Sequence, residues 1–211
     1  MSRAIDWTLY AILDVPFAIG RGLDVEEAAE AALAGGAGAI QVRDEESEGR
    51  RLFEVVSLLL PLARRRGAPL IVNDRADVAL AAGADGVHLG REDLPIEAAR
   101  RILPGRALVG ATARSVSEAE AACESGASYV GVGSLFTSAT KGAPPMSADA
   151  AAEIARAVAR PVVAIGGIDA QGARSLSGLG LAGVAVSRAL FGSEEIRAEA
   201  QRIREAFLKG R

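Results

Sequence analysis

The sequence predicts an α/β fold, a (β/α)8 barrel that forms a single domain over residues 1–211. Half of the 211 residues are apolar, which is enough for one sizeable core. Apolar strands alternate with helices along the whole chain, without a linker or a break in composition, as such a barrel requires. An open, doubly wound sheet is the alternative, because the number of strands alone does not establish closure.

A sequence cue that marks every second strand recurs at intervals of roughly 40–50 residues. In each copy a helix end is followed by a turn rich in Gly and Ala and then by an apolar strand. The copies are AGGAGAIQV at 34–42, AAGADGVHL at 81–89, ESGASYVGV at 124–132 and GLGLAGVAV at 178–186. The interval is the length of two βα units, so the repeated cue predicts eight strands.

The intervening strands are β-branched or aliphatic segments bounded by Gly, Pro or charged residues. They are Thr8–Leu13, Leu70–Asn73, Ala107–Ala111 and Pro161–Ile165. The helix starts are indicated by side chains that can accept hydrogen bonds from the first helical turn. The expected caps are Asp24 with Glu27, Ser115 with Glu118, Ser147 and Ser193.

The charge balance, 24 basic against 27 acidic residues, is close to neutral. It predicts no nucleic-acid partner and no membrane-surface partner, so any basic function must be local. The single cysteine, Cys123, excludes an internal disulfide or a thiolate metal cluster. The apolar segment Thr8–Leu13 has the length of one strand, so we expect neither a signal peptide nor a membrane span. A cytoplasmic location fits these features.

Two short strands with a helix between them place two aspartates at one end of the sheet. The strand Leu70–Asn73 is followed by Asp74, and the strand 86–89 is followed by a loop that carries Asp93. A right-handed crossover makes the two strands parallel, so both aspartates emerge at the same end. Two carboxylates beside the amide of Asn73 suit Mg²⁺. Helix capping is the ordinary alternative for Asp74.

Polar residues gather at the carboxyl ends of the predicted strands, where barrels carry their chemistry, although contact with water alone favours some of them. They are Asp14, Gln41, Arg43, Asn73, Asp74, His88, Asp93, Thr112, Arg114, Ser187 and Arg188. Gln41 and Arg43 share one face of a strand, since alternate residues point the same way. An inward arginine at the top of a barrel is costly without an anion, which implies a substrate phosphate or an acidic partner. A structural role for His88, the only histidine, is predicted at least as readily as a catalytic one.

Two further regions offer the groups that a phosphorylated substrate needs. Gly166-Gly167 and Ser187-Arg188 follow strands seven and eight, where barrels bind phosphate through backbone N–H groups and a helix N-terminus. The loop 136–145, FTSATKGAPP, offers three hydroxyls and a lysine, which can hold a departing diphosphate. A tight glycine turn and a plain surface loop are the respective alternatives.

On these residues the chain resembles the thiamine-phosphate synthase family over nearly its whole length. The matching motifs are QVRD at 41–44, IVNDRADVALAAGADGVHLGREDLP at 71–95, GASYVGVG at 126–133, TSATK at 137–141 and VVAIGGI at 162–168. The Asn-Asp pair and the His-Leu-Gly-x-x-Asp motif are the most specific of them. The barrel pattern alone would not select this family from many.

The resemblance implies a transferase that joins an aminopyrimidine methyl diphosphate to a thiazole phosphate and gives thiamine phosphate and diphosphate. In this family Mg²⁺ helps the diphosphate to leave first, and the thiazole nitrogen then attacks a pyrimidine-stabilised cation. By family likeness, Asp74 and Asp93 bind the metal. The residues implied to hold the pyrimidine diphosphate are Gln41, Arg43, Asn73, Thr112 and Lys141. The catalytic candidates among them are Arg43, Thr112 and Lys141.

On the thiazole side, the resemblance implies contacts with the ring and with its phosphate. The residues concerned are Ser138, Thr140, Gly167, Ser187 and Arg188. Arg188 stands where the family has serine, with Ser187 one place earlier, so this contact is expected to be remodelled. The expected partners are therefore phosphorylated small molecules. Apolar residues on an outer helix, including Leu58, Leu59 and Leu60, also leave a homodimer open.

Charge substitutions separate this chain from the family pattern. Glu45 stands where the family has a lysine that faces the diphosphate, and this reversal places an anion near an anion. Arg91 and Arg114 replace a usual glutamine and a common histidine, and their positive charges can offset Glu45. A thiazole tautomerase-like enzyme and a catalytically weakened homologue that binds phosphate ligands are the alternative functions.

Overall fold

The computed structural model describes residues 4–136 and 145–209. Eight parallel strands in these residues form a closed barrel, in which consecutive strands pair and the first strand also pairs with the last. The strands are β1 Leu9–Asp14, β2 Ala39–Arg43, β3 Leu70–Asn73, β4 Gly86–Leu89, β5 Leu108–Ala113, β6 Tyr129–Gly133, β7 Val162–Ile165 and β8 Gly183–Val186. Closure confirms the predicted (β/α)8 barrel and rules out the open sheet.

Helices follow each of the strands and surround the barrel. They are α1 Val15–Gly20, α2 Val25–Ala34, α3 Gly49–Arg66, α4 Ala76–Ala82, α5 Ile96–Ile102, α6 Val116–Glu124, α7 Ala148–Ala157, α8 Ala170–Ser175, α9 Arg188–Phe191 and α10 Ile196–Leu208. Within the described ranges, none of them combines the length and the apolar character needed to cross a bilayer.

Side-chain caps begin several of the helices, as the sequence predicted. Asp24 accepts hydrogen bonds from the backbone N–H groups of Glu26 and Glu27, both at 2.9 Å, and Ser147 caps α7. Ser115 caps α6 through the N–H of Glu118. The expected cap at Ser193 is wrong, because α10 begins two residues further on than that cap requires. The N-cap is Glu195, and the Ser193 hydroxyl accepts its N–H at 3.1 Å within the preceding turn.

The strands separate two apolar cores. Outward-facing side chains pack against the helices, and Leu59 and Leu60 of α3 belong to this layer, whereas Leu58 is 47% exposed. The second core fills the barrel. Its members are Trp7, Tyr10, Ile12, Ala39, Ile71, Tyr129, Val163 and Ala185. Because side chains alternate along a strand, Leu9, Ala11 and Leu13 of β1 pack against the helices, whereas Tyr10 and Ile12 face the interior.

Aromatic rings fill the amino end of the barrel interior. The ring of Trp7 lies with its centroid 4.4 Å from that of Tyr129 and 5.5 Å from that of Tyr10. Gly110 on β5 provides the space for one of these rings. A Cβ atom at Gly110 would overlap the ring and hydroxyl of Tyr129 and also Nδ1 of His88. The ring of Tyr129 on β6 thus occupies the space left by the missing side chain of Gly110 on β5.

Gly110→Ala is expected to lower the free energy of unfolding by about 1–3 kcal/mol, because the added methyl group overpacks the barrel interior. Gly105→Ala is the matched control, since no atom lies within 4 Å of a Cβ placed there. Urea denaturation of the two variants and the parent measures the difference. Equal transition midpoints for all three proteins would show that the interior yields to the methyl group.

Candidate active site

The carboxyl ends of the strands surround an open cavity of about 810 Å³. Every strand contributes to its wall, as shown by Ile12, Gln41, Asn73, His88, Thr112, Gly133, Ile165 and Ala185. The structure also brings the sequence-predicted residues of the following loops into this wall. They are Asp74, Asp93, Gly167, Ser187 and Arg188. The mouth of the barrel is therefore the candidate active site.

Asp74 and Asp93 meet on one side of the cavity. Asn73 Nδ2 donates to Asp74 Oδ2 at 2.7 Å, and the N–H of Gly90 donates to Asp93 Oδ2 at 2.6 Å. Asp74 has a φ of 60°, a left-handed conformation that is uncommon outside glycine. The N-cap of α4 is Arg75, so helix capping does not account for Asp74. The unusual backbone instead accompanies a carboxylate that contacts Asp93.

Asp93 disfavours the charged form of Asp74. Burial, then the hydrogen bond with Asp93 and the negative charge of that residue, raise the pKa of Asp74 from 3.8 to about 7. The charge of Glu45 acts in the same direction, while Arg43 opposes it. A divalent cation held by these residues would reverse this balance, because it would favour the ionised form of Asp74.

The donor set fits magnesium. Mg²⁺ uses oxygen ligands, takes one or two carboxylates from the protein, and keeps water or phosphate oxygens in its other positions. Across residues 4–136 and 145–209, no group of three or more His, Cys, Asp or Glu side chains is placed to hold an ion. The arrangement of Asp74 and Asp93 thus matches a metal that is shared with a phosphorylated substrate rather than a closed structural zinc site.

Arg43 enters the mouth from β2 and is held there by two acids. Its guanidinium contacts Asp14 Oδ2 at 2.6 Å and Glu45 Oε1 at 2.6 Å. The Arg43 and Asp14 side chains are largely buried, whereas that of Glu45 is 57% exposed. Glu45 therefore points toward Arg43 at the mouth and occupies guanidinium donors there. Asp14 was not predicted as the inner partner of Arg43, although its position at the end of the adjacent strand was a usable signal.

Gln41 on β2 and Thr112 on β5 both line the cavity, and each is hydrogen-bonded to a polar side chain of the interior. Gln41 is 2% exposed, and its Nε2 donates to the hydroxyl of Tyr10 at 2.7 Å. Thr112 Oγ1 lies 3.1 Å from Nε2 of His88. Neither Tyr10 nor Tyr129 was predicted as a site residue from the sequence, although period-two spacing along β1 places Tyr10 on the inner face.

The loops after β7 and β8 form the other side of the mouth. Gly166 and Gly167 both have positive φ, at 99° and 66°, a backbone conformation that residues with a Cβ atom rarely adopt. The hydroxyl of Ser187 is buried and has no hydrogen-bond partner among the described residues. Arg188 extends over the ring of Phe17, 5.5 Å from its centroid. A buried hydroxyl without a partner, in the same cavity wall as glycine backbone, is suited to a phosphate oxygen.

Additional arginines surround the acidic groups. Arg114 donates through Nη1 to the carbonyl of Gly133 at 3.2 Å, and its backbone N–H donates to Glu118. Arg91 lies 3.8 Å from Glu118. Both arginines line the cavity, so the mouth combines carboxylates with several guanidinium groups. Mixed charge of this kind can accept a metal ion and an anion together.

Three predicted site residues lie outside the described residues. They are Ser138, Thr140 and Lys141, all in the loop that follows β6. Their roles stay predictions that rest on the sequence resemblance. The described residues on either side of this segment are Phe136, which follows β6, and Pro145, which precedes α7.

Comparison with known proteins gives one consistent result. A family model described as thiamine monophosphate synthase matches residues 9–190. The thiamine-phosphate synthase of Chloroflexus aurantiacus is 40% identical over 97% of this chain and 94% of its own length, and that of Anaeromyxobacter dehalogenans is 46% identical over 92% and 88%. The solved thiamine phosphate pyrophosphorylase from Pyrococcus furiosus superposes with a TM-score of 0.87 at 37% identity, covering 97% of each chain. Since both sequence and architecture agree over nearly full length, this chain belongs to the thiamine monophosphate synthase family.

Proposed function

We propose that this protein is a transferase that couples 4-amino-2-methyl-5-pyrimidinylmethyl diphosphate with thiazole phosphate to give thiamine phosphate and diphosphate. The observation that carries the proposal is the meeting of Asp74 and Asp93 at the mouth of the barrel, beside Arg43, in a chain of this family. A paired carboxylate site next to a guanidinium group is suited to a diphosphate that arrives with its metal.

The proposed reaction breaks one bond and forms another. The C–O bond between the pyrimidine methylene and the diphosphate breaks, and its electron pair leaves with the diphosphate. The lone pair of the thiazole nitrogen then forms a C–N bond to the same carbon. No proton has to be removed from either reacting centre, so charge neutralisation and positioning carry the catalysis.

The residues on the β2 to β5 side are proposed to hold the pyrimidine diphosphate. Arg43 offers guanidinium donors to the diphosphate, Thr112 offers a hydroxyl, and Gln41 and Asn73 offer amides. Asp74 and Asp93 would hold Mg²⁺, which supplies the neutralisation of diphosphate charge as it leaves. Lys141 is proposed, on the resemblance alone, to contact the same leaving group.

The residues on the β7 and β8 side are proposed to hold the thiazole phosphate. The buried hydroxyl of Ser187 and the backbone at Gly167 supply donors, and Arg188 supplies charge. Ser138 and Thr140 are proposed to line the thiazole ring. Two phosphate-binding regions on opposite sides of one cavity would leave the reacting carbon and nitrogen between them.

A tautomerase-like activity has less support, because the relatives described above carry the name of the synthase and this chain retains Asp93. A weakened homologue that binds phosphate ligands is the second candidate. The contact between Glu45 and Arg43 favours it, since an internal carboxylate competes with the diphosphate. Turnover of both substrates by the purified protein with Mg²⁺ distinguishes the proposed synthase from the weakened homologue. Binding of inorganic diphosphate without formation of thiamine phosphate would support the weakened homologue.

Asp93→Asn is expected to lower turnover by about a hundredfold or more, because one of two proposed metal carboxylates is lost. Formation of thiamine phosphate at saturating Mg²⁺ measures the effect. Asp77→Asn is the matched control, since Asp77 is an exposed residue of α4 that pairs with Arg75. Parent-like turnover of Asp93→Asn would contradict the metal assignment. Parent-like unfolding of the same variant excludes a general loss of structure.

Mg²⁺ affinity is expected to fall at acidic pH, because the Asp74 pKa of about 7 means that binding must displace a proton. The decrease should reach up to about tenfold per pH unit below the pKa and level off above it. Calorimetric titration with Mg²⁺ across this range measures the change in affinity.

Without metal, the pH dependence of folding stability has the opposite sign. The raised pKa of Asp74 favours the protonated folded state, so stability declines as pH rises from the ordinary value of 3.8 toward about 7. Thermal unfolding in a chelator that shows no such decline would contradict the contact between the carboxylates.

Glu45→Gln is expected to tighten binding of inorganic diphosphate by about threefold to tenfold, because the charge that competes for Arg43 is removed while the side-chain size is kept. Glu46→Gln is the matched control, since Glu46 is an exposed neighbour with the same charge. Titration of each variant with Mg²⁺ and diphosphate provides the comparison. Weaker binding by Glu45→Gln would mean that Glu45 orients Arg43 for the substrate.

A further inference from the structure

Five side chains form a continuous series of hydrogen bonds through the barrel interior. Gln41 Nε2 contacts the Tyr10 hydroxyl at 2.7 Å, and this hydroxyl lies 2.9 Å from that of Tyr129. The Tyr129 hydroxyl lies 3.0 Å from Nδ1 of His88, whose Nε2 lies 3.1 Å from Thr112 Oγ1. We call this series the interior chain. It joins β2 to β5, so it links two walls of the candidate active site.

The first bond of the interior chain sets the direction of the others. An amide nitrogen can only donate, so the Tyr10 oxygen accepts from Gln41 and the Tyr10 proton is directed to the Tyr129 oxygen. The Tyr129 proton is then directed to Nδ1 of His88, which must accept. The ring carries its proton on Nε2 and donates it to Thr112. The hydroxyl proton of Thr112 is therefore available for donation to a group in the cavity.

The reverse direction is disfavoured by burial. If Tyr129 donated to Tyr10, the Tyr10 oxygen would accept two hydrogen bonds, and its proton would lie in the closed interior without either partner as an acceptor. Both tyrosines are fully buried hydroxyls, and burial raises their pKa above the ordinary value, so neither ionises to solve the problem. Gly110 and Gly131 leave the space that keeps Tyr129 and His88 in this register.

We propose that the interior chain is aligned in one direction, from Gln41 to Thr112, and thereby holds Thr112 as a hydrogen-bond donor to an anion at the mouth. Tyr10, Tyr129 and His88 are positioning residues in this proposal, because they act through Thr112. The identity of the anion as diphosphate rests on the proposed function. The direction of the chain does not, since it follows from contacts within the protein alone.

The direction matters for an anion because a hydroxyl can present either a proton or lone pairs. With His88 donating to its oxygen, Thr112 is left with a proton to offer, and that proton stabilises a phosphate oxygen. With the chain reversed, Thr112 would donate to His88 and present only lone pairs to the anion. The same side chain in the same place would then repel the ligand.

The tautomer of His88 tests the direction without any ligand. His88 is the only histidine of the chain, so its ring nitrogens can be assigned without ambiguity in a ¹⁵N NMR spectrum. We expect a pyridine-type signal for Nδ1 and a pyrrole-type signal for Nε2. A proton on Nδ1 would overturn the proposal. Because this readout needs no substrate, it separates failure of the interior chain from failure of the proposed synthase activity.

Two isosteric variants give the matched comparison. Tyr129→Phe removes the donor to Nδ1, and we expect the single tautomer to become a mixture of both. Tyr10→Phe removes a hydroxyl of the same kind one step earlier, and Tyr129 still has His88 as its acceptor, so the parent tautomer is expected to persist. An unchanged spectrum in Tyr129→Phe would overturn the proposal. Thermal unfolding identifies any general effect of losing a buried hydroxyl.

Binding of inorganic diphosphate with Mg²⁺ tests the consequence at Thr112. We expect Tyr129→Phe to weaken binding by about tenfold in the parent and to have little further effect in Thr112→Val, because the effect travels through one hydroxyl. Equal losses in both backgrounds would show that Tyr129 acts independently of Thr112 and would overturn the positioning role.

Discussion

The pairing of β1 with β8 is the contact on which the remaining geometry depends, because it turns a sheet into a ring. Leu9 and Ala11 of β1 align with Val184 and Val186 of β8. Without this contact, the loops after β3 and β4 would still be neighbours, but those after β8 would lie at a distant edge. Closure brings the paired aspartates and the Ser187 region to one cavity, and it gives the inward side chains a single interior to fill.

Polarity increases along the inner face of the barrel from its aromatic end to its mouth. On β2 the inward positions change from Ala39 to Gln41 to Arg43, which is apolar, then neutral and polar, then charged. Each of these polar groups has a partner at the same height in the barrel. Gln41 donates to a tyrosine hydroxyl, and Arg43 contacts Asp14 at the mouth. Charges are thus confined to the level where water and ligands can reach them.

Local and periodic features of the site could be predicted from the sequence. The βαβ unit placed Asp74 and Asp93 at one end because crossover connections have a fixed hand, and period two placed Gln41 and Arg43 on one face. Caps such as Asp24 needed only neighbouring residues. Ser193 failed because two turn residues separate it from the first helical residue, a difference that local composition does not encode.

Contacts between distant segments could not be predicted in the same way. The Tyr10 and Tyr129 hydroxyls meet although 119 residues separate them, and this requires a closed barrel with a defined register. The pairing of Glu45 with Arg43 depends on which rotamer the exposed acid adopts beside its strand. Sequence alone indicated that Glu45 reversed a charge near the site, but it did not indicate where that charge would go.

The position of Trp7 makes the aromatic end of the barrel visible to spectroscopy. It is the only tryptophan in the chain, and its ring is buried against Tyr129. Its fluorescence therefore reports whether the amino end of the barrel interior is packed and free of water. Trp7 is remote from the loops at the mouth, so rearrangements of those loops do not affect this signal. A denaturation experiment followed by this signal and by helical circular dichroism would reveal whether the interior and the helical shell come apart together or in sequence.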